Sequence, residues 1–144
     1  MLKENVQNFV ILSVLVLIQF GCATHDANHA SISVKELVRA SQSWDGKLLV
    51  PYSQGQPEIT ILRISIPAGA RLDTHSHPVV NAGVLMSGQL TVKTTDGKVL
   101  RLQAGDPIVE VVNTLHYGIN EGTVPAEIVV FYAGIVGQAV TVSK

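Results

Sequence analysis

The side chains best placed to do chemistry in this sequence are three histidines. His75 and His77 are separated by one residue, and His116 follows far along the chain. Alternate side chains of a β-strand share a face, so a His-x-His spacing on a strand points both imidazoles the same way. Two neighbouring ligands of one metal ion need that geometry, and neutral imidazole is the commonest protein ligand for divalent transition metals. His116 lies at the start of a second strand-like segment and would complete the set if the fold brings that strand opposite the pair. Taken singly, each histidine is as well explained as a hydrogen-bonded residue of a barrel wall. The sequence holds no phosphate loop, dinucleotide fingerprint, GxSxG elbow or HExxH zinc helix.

The segments around these histidines read as short strands joined by tight turns. From Leu48 onward the hydrophobic period is two. Ile59 to Ile66 places Thr60, Leu62, Ile64 and Ile66 on one face, and Leu90 and Val92 alternate with Gln89, Thr91 and Lys93. Asp96 and Gly97 form a hairpin turn before Val99 to Leu102. Further strands are expected at Ile108 to Val112, Tyr117 to Asn120, Glu127 to Tyr132 and Ala139 to Val142. Evenly spaced short strands predict a closed barrel or a double-sheet jelly roll. Gly69, Gly88 and Gly105 read as turn residues, and Pro67 and Pro107 as strand ends. Before the barrel, Ser33 and Glu36 make a capping-box pattern over the stripe Val34, Leu37 and Val38, which predicts one short helix. Trp44, Asp45 and Gly46 read as a turn, with the indole packed on the barrel edge.

Bulk properties agree with one compact domain. The chain has 144 residues, enough for one core and not for two. At 47% apolar and 15% charged it is too hydrophobic for general disorder. Its formal charge is −1 and its basic residues are scattered, so it offers no electrostatic footprint for nucleic acid. A single cysteine, Cys22, excludes an internal disulfide, a zinc ribbon and a CxxC redox pair.

The N-terminus reads as an address. Met1 to Asn8 is polar, and Phe9 to Ile18 is an apolar run of ten residues broken only by Ser13. That is the length of a signal-peptide core and short of the roughly twenty residues that span a bilayer. The end of the segment resembles the bacterial lipoprotein signal, in which a small residue precedes a cysteine that is acylated. Gly21 and Cys22 fit, while Gln19 and Phe20 depart from the usual aliphatic and small residues. Ordinary signal cleavage and an uncleaved anchor are the alternatives. The expected organisation is a signal peptide over 1–21, a tether over 22–32 and a barrel domain over 33–144. An exported protein of the periplasm or outer membrane follows, held to the membrane through lipid on Cys22. His25 and His29 lie in the polar tether and are expected to be solvated.

The histidine segments also resemble a family. Gly69, five residues, His75-Ser76-His77, three residues, Asn81, six residues and Gly88 match the spacing of the first cupin motif, with Asn81 at the acidic position. Gly105, five residues, Val111, one residue, Asn113, two residues, His116, three residues and Asn120 resemble the second motif, with Val111 and Asn113 in place of the usual Pro and Gly. The resemblance runs from about Ile59 to Tyr132 and implies an all-β, RmlC-like jelly-roll barrel. It also implies a divalent metal (Fe, Mn, Ni, Cu or Zn) on His75, His77 and His116, and it makes a homodimer an expectation. A neutral amide at 81 leaves three uncharged imidazoles around the ion, which favours an anionic ligand. The family includes three-His dioxygenases that act on enolates or thiolates. Asn81 would then coordinate, or orient the bound ligand or water. Glu110 is expected at the surface or in an ion pair, and would offer a substitute carboxylate only if it faces inward. Tyr117 and Tyr132 are donors on position alone, with core packing the preferred reading.

Two functions are compatible with these residues. One is a metal-dependent enzyme, dioxygenase- or isomerase-like, acting on a small anionic or enolisable molecule. The other is an envelope protein that binds or senses a metal or small ligand without turnover. The fold serves both.

Overall fold

The computed structural model describes residues 31–144. The chain divides into units Met1–Ser33 and Val34–Lys144, and the architecture below is that of the second. Its elements are β1 (Pro57–Ile66), β2 (His75–Ser76), β3 (Val80–Ser87), β4 (Gln89–Thr94), β5 (Val99–Gln103), β6 (Pro107–Val109), β7 (His116–Ile119), β8 (Ala126–Ile135) and β9 (Val142–Ser143). They form two antiparallel sheets, one in the order β1-β8-β3-β6 and one in the order β5-β4-β7-β2-β9. The expected all-β jelly roll is present.

Period-two patterning builds the first sheet. β1 pairs with β8 over ten residues, from Pro57 opposite Ile135 to Ile66 opposite Ala126. Ile64 and Ile66 face inward, as the alternation predicts, while Ile59 and Ile61 lie on the exposed face. The inward side chains of β3 and β8, Leu85, Ile128, Val130 and Tyr132, meet Leu90, Val92 and Leu102 of the second sheet in one core. Each such burial contributes about 1.5–3 kcal/mol through apolar area removed from water. Trp44 packs on the edge of this core, and its backbone N–H donates to the Val109 carbonyl over 2.9 Å.

Turn chemistry follows the glycines. Gly69, Gly88 and Gly105 all have positive φ. Gly88 is the most constrained: at φ +73° a Cβ there would lie 2.7 Å from the Pro125 carbonyl oxygen. The Asp96-Gly97 hairpin joins β4 to β5, with the Gly97 N–H donating to the Thr94 carbonyl. Asn120 is fully buried in the turn after β7. Its amide donates to the carbonyls of Ile66 and Val124, and its side-chain oxygen accepts from the Gly122 N–H.

Two expectations need correction. No helix occurs among the described residues, and residues 33–38 carry no regular structure. Val34 is exposed and Leu37 and Val38 remain about half exposed, so the stripe buries little apolar area. A single helical turn that buries so little does not offset its nucleation cost. The second difference is β3, an eight-residue strand that the alternation did not single out because Asn81 and Gly83 occupy its inward positions.

Candidate metal centre

Two strands and one left-handed turn bring the histidines together. His75 opens β2 and stands opposite His116, the first residue of β7. His77 lies past the end of β2 and bridges in parallel to Val112. The Asn113 N–H then donates to the His77 carbonyl over 2.8 Å. Asn113 has φ +53°, the only positive value on a non-glycine residue among those described. Asparagine tolerates that region better than other side-chain-bearing residues, so position 113 keeps the left-handed turn without glycine.

The three rings face one another. Their centroids are 4.5 to 5.0 Å apart, and one ligating atom from each lies within 4.8 Å of the others. Each Nδ1 meets a backbone carbonyl: His75 that of Asp73 at 2.7 Å, His77 that of Val140 at 2.9 Å, His116 that of Thr114 at 2.9 Å. A carbonyl only accepts, so each Nδ1 carries the proton and donates it. Every Nε2 is left with a free lone pair, which sets the tautomer a metal ligand requires. Burial, together with the neighbouring His116 and His75 rings, brings His77 down to about 4. Burial also lowers His116. Both are therefore neutral at neutral pH.

A narrow cavity of about 50 Å³ adjoins the rings, walled by Ile64, Ile66, Leu72, Leu90, Val92, Glu110, Ile128, Val130 and Tyr132. On the outer side His75, His77 and Tyr132 also line an open vestibule with Leu62, Leu72, Asp73, Thr141 and Ser143. The Tyr132 ring lies edge-on to His77 at 5.3 Å. Burial, and then the Glu110 charge, raise its phenol, so it stays a protonated donor.

Residues 62–132 match the family model described as the cupin domain. The barrel has the cupin fold. An uncharacterised conserved protein with a double-stranded β-helix domain from Klebsiella pneumoniae superposes with a TM-score of 0.52 at 23% identity, covering 65% of this chain and 89% of its own. A DMSP lyase from Ruegeria pomeroyi does so with a TM-score of 0.53 at 20% identity, over 60% of this chain and 43% of its own. An oxalate decarboxylase from Lactobacillus farciminis matches with a TM-score of 0.51 at 21% identity, over 59% of this chain and 26% of its own. The chain thus spans less than half the length of these two enzymes. No protein of curated function matches it in sequence.

Within this cupin barrel the other expected site residues separate. Asn81 is buried on the inward face of β3, with its amide N–H donating to the Val79 carbonyl and its side-chain oxygen without a partner. It does not line the cavity beside the imidazoles. Glu110, expected at the surface or in an ion pair unless it faces inward, is 8% exposed and lines that cavity. Its Oε2 is 3.8 Å from His116 Nε2 and reaches no hydrogen-bond donor. Burial pushes its carboxyl up to about 7, against the opposing influence of the Val111 N–H, His75 and the Trp44 indole. Tyr117 points away from the cavity, under the Arg71 guanidinium at 3.9 Å from its ring centre. Tyr132 combines core packing with a place at the site. Cys22, His25 and His29 lie outside the described residues.

Proposed function

We propose that this cupin holds one divalent transition-metal ion on the Nε2 atoms of His75, His77 and His116 and works as a dioxygenase- or isomerase-like enzyme on a small anionic or enolisable molecule. The observation that carries this reading is the set of three backbone carbonyls, each accepting a hydrogen bond from an Nδ1–H and so leaving three Nε2 lone pairs for an ion. Three neutral nitrogen donors suit Fe, Mn, Ni, Cu or Zn. When bound, such an ion supplies Lewis acidity to a coordinated oxygen.

The chain's own residues do the remainder. Tyr132 and Thr141 offer hydroxyl donors at the vestibule, and Leu62 and Leu72 give it apolar wall. None of the lining residues is Lys or Arg, so the counter-charge for an anionic ligand comes from the ion itself. That the fold is shared with a DMSP lyase and an oxalate decarboxylase supports a small-molecule substrate. The inner cavity, about 50 Å³, suits an ion with one or two waters, so a substrate would approach from the vestibule. The same tightness favours the second reading, an ion-binding or sensing protein without turnover.

We also read residues 1–21 as an export signal and Cys22 as a lipid attachment site, on the strength of the apolar run that ends beside the sole cysteine. The ion would then be acquired in the cell envelope. The exposed Ile59, Ile61 and Phe131 support a homodimer through the outer face of the first sheet.

Metal analysis of the purified full-length chain, with oxygen uptake on a panel of diketones, thiols and catechols, tests the function. Near-stoichiometric metal that falls sharply in His75→Ala, His77→Ala and His116→Ala is expected. Unchanged metal in all three variants overturns the site, and metal without turnover selects the binding reading.

A further inference from the structure

We propose that Glu110 is the carboxylate ligand of the ion, supplied from the residue just past the strand that neighbours the one carrying position 81. The inference deepens the metal reading above and rests on it.

β3 and β6 pair with Ala82 opposite Val109, and the ladder continues one step further, where the Glu110 N–H donates to the Asn81 carbonyl over 3.1 Å. Residues directly opposite in an antiparallel pair project from the same face. Glu110 and Asn81 are therefore inward-facing cross-strand neighbours. The acidic group absent at 81 stands one strand over, at 110.

Distance and burial add to this. Donors about 2.1 Å from one ion lie roughly 3 to 4 Å apart, according to whether they are adjacent or opposite around it. Glu110 Oε2 is 3.8 Å from His116 Nε2, inside that range. It lies outside the tight group formed by the three imidazole donors, and the three χ angles of a glutamate allow it to swing toward them. No cationic side chain lines the cavity to partner the carboxylate, and Oε2 meets no hydrogen-bond donor. A buried carboxylate oxygen without a partner is disfavoured. A divalent ion on the three Nε2 atoms would answer that need.

Such coordination lowers the formal charge of the filled site from two to one. The ion would be held more tightly and exogenous anions more weakly than at a site of three imidazoles alone. Asn81 would have no role as a ligand.

Titration of the full-length chain with Co(II) tests this, with affinity read by competition against a chromophoric chelator and coordination read from the visible spectrum. Glu110→Gln should lose more than about 100-fold in Co(II) affinity, beyond the 10- to 100-fold that loss of an outer-sphere partner produces. Its visible bands should shift, and azide should bind the Co(II) form more tightly. A smaller loss with unchanged bands overturns the proposal while leaving the histidine site intact. Should Glu110→Gln not fold, Glu110→Asp decides by the same measurements, because it withdraws the carboxylate by one methylene: unchanged affinity and spectrum overturn the assignment. Failure of the wild-type chain to bind Co(II), or equal binding by the three histidine variants, would remove the underlying metal reading. That outcome is distinguishable from a failure of Glu110 alone.

Discussion

The Nδ1–H of His77 donates to the carbonyl of Val140 over 2.9 Å, joining residues 63 positions apart in the chain. The orientation of this ring is therefore set by the C-terminal segment that also supplies β9, and the Thr141 hydroxyl stands 3.2 Å from the same nitrogen. Ending the chain at Gln138 should lower Zn(II) affinity by about 10- to 100-fold, the usual effect of losing a ligand's outer partner. Isothermal titration would measure it, with far-ultraviolet circular dichroism to show that the barrel persists. Full affinity in a folded, truncated protein would mean that something else holds the His77 tautomer.

Acid should destabilise the metal-free barrel through the same residue. His77 titrates near 4 in the folded state against 6.5 for the free side chain. The unfolded chain takes up a proton that the folded one refuses, so the stabilisation is complete above 6.5 and is lost as pH falls through about 4. Its full extent is about 3 kcal/mol. Glu110 acts in the opposite sense. Its carboxyl, raised to about 7, favours the folded state below 4.5, and that contribution disappears as pH rises through 7. Urea unfolding of chelator-treated wild type and His77→Gln at several pH values isolates the histidine, since Glu110 is common to both. The wild type should lose stability relative to the variant on acidification, and parallel pH curves would contradict the assignment.

Asn113 tests the left-handed turn between the ligand segments. Asn113→Gly should be neutral or slightly stabilising, because glycine occupies φ +53° without a Cβ clash. Asn113→Val should cost about 1–3 kcal/mol, since a β-branched residue is strained there. Metal affinity should fall with it, because the Asn113 N–H anchors the His77 carbonyl. Equal denaturation midpoints for the two variants would show that the turn is not under this constraint.

Cys22 gives a prediction about location. Labelled palmitate should enter the wild-type chain and be absent from Cys22→Ser, which should leave the membrane fraction or accumulate unprocessed. Stable membrane association requires more than one acyl chain, so mass spectrometry of the N-terminal peptide should find at least two. Label that persists in the serine variant would end the lipoprotein reading.

What could be read in advance depended on how local the signal was. The His-x-His pair, Gly88 with its positive φ and the Asp96-Gly97 hairpin are each specified by a few adjacent residues, and each stands where expected. The direction of Glu110 stays open in the sequence because Val109, Val111 and Val112 surround it with apolar residues of both parities, so alternation does not say which way it faces. β3 was obscured by Asn81 and Gly83 at its inward positions, where the partner strand rather than side-chain hydrophobicity accounts for the pairing. Val34, Leu37 and Val38 have helical spacing, but nothing in a local pattern reveals whether a docking face exists. Tyr117 and His116 are adjacent, and the pleat that turns one ring inward turns the other out beneath Arg71.

Main-chain oxygens of Asp73, Thr114 and Val140 orient the three imidazoles. Every residue carries a carbonyl whatever its side chain, so mutational drift at these three positions leaves the histidine tautomers in place as long as the strands keep their course. The neighbouring side chains at 44, 81 and 132 make none of these hydrogen bonds to the rings. Selection can exchange them while the nitrogen triad stays constant, so the chemical character of the pocket becomes a heritable variable decoupled from the orientation of the imidazoles.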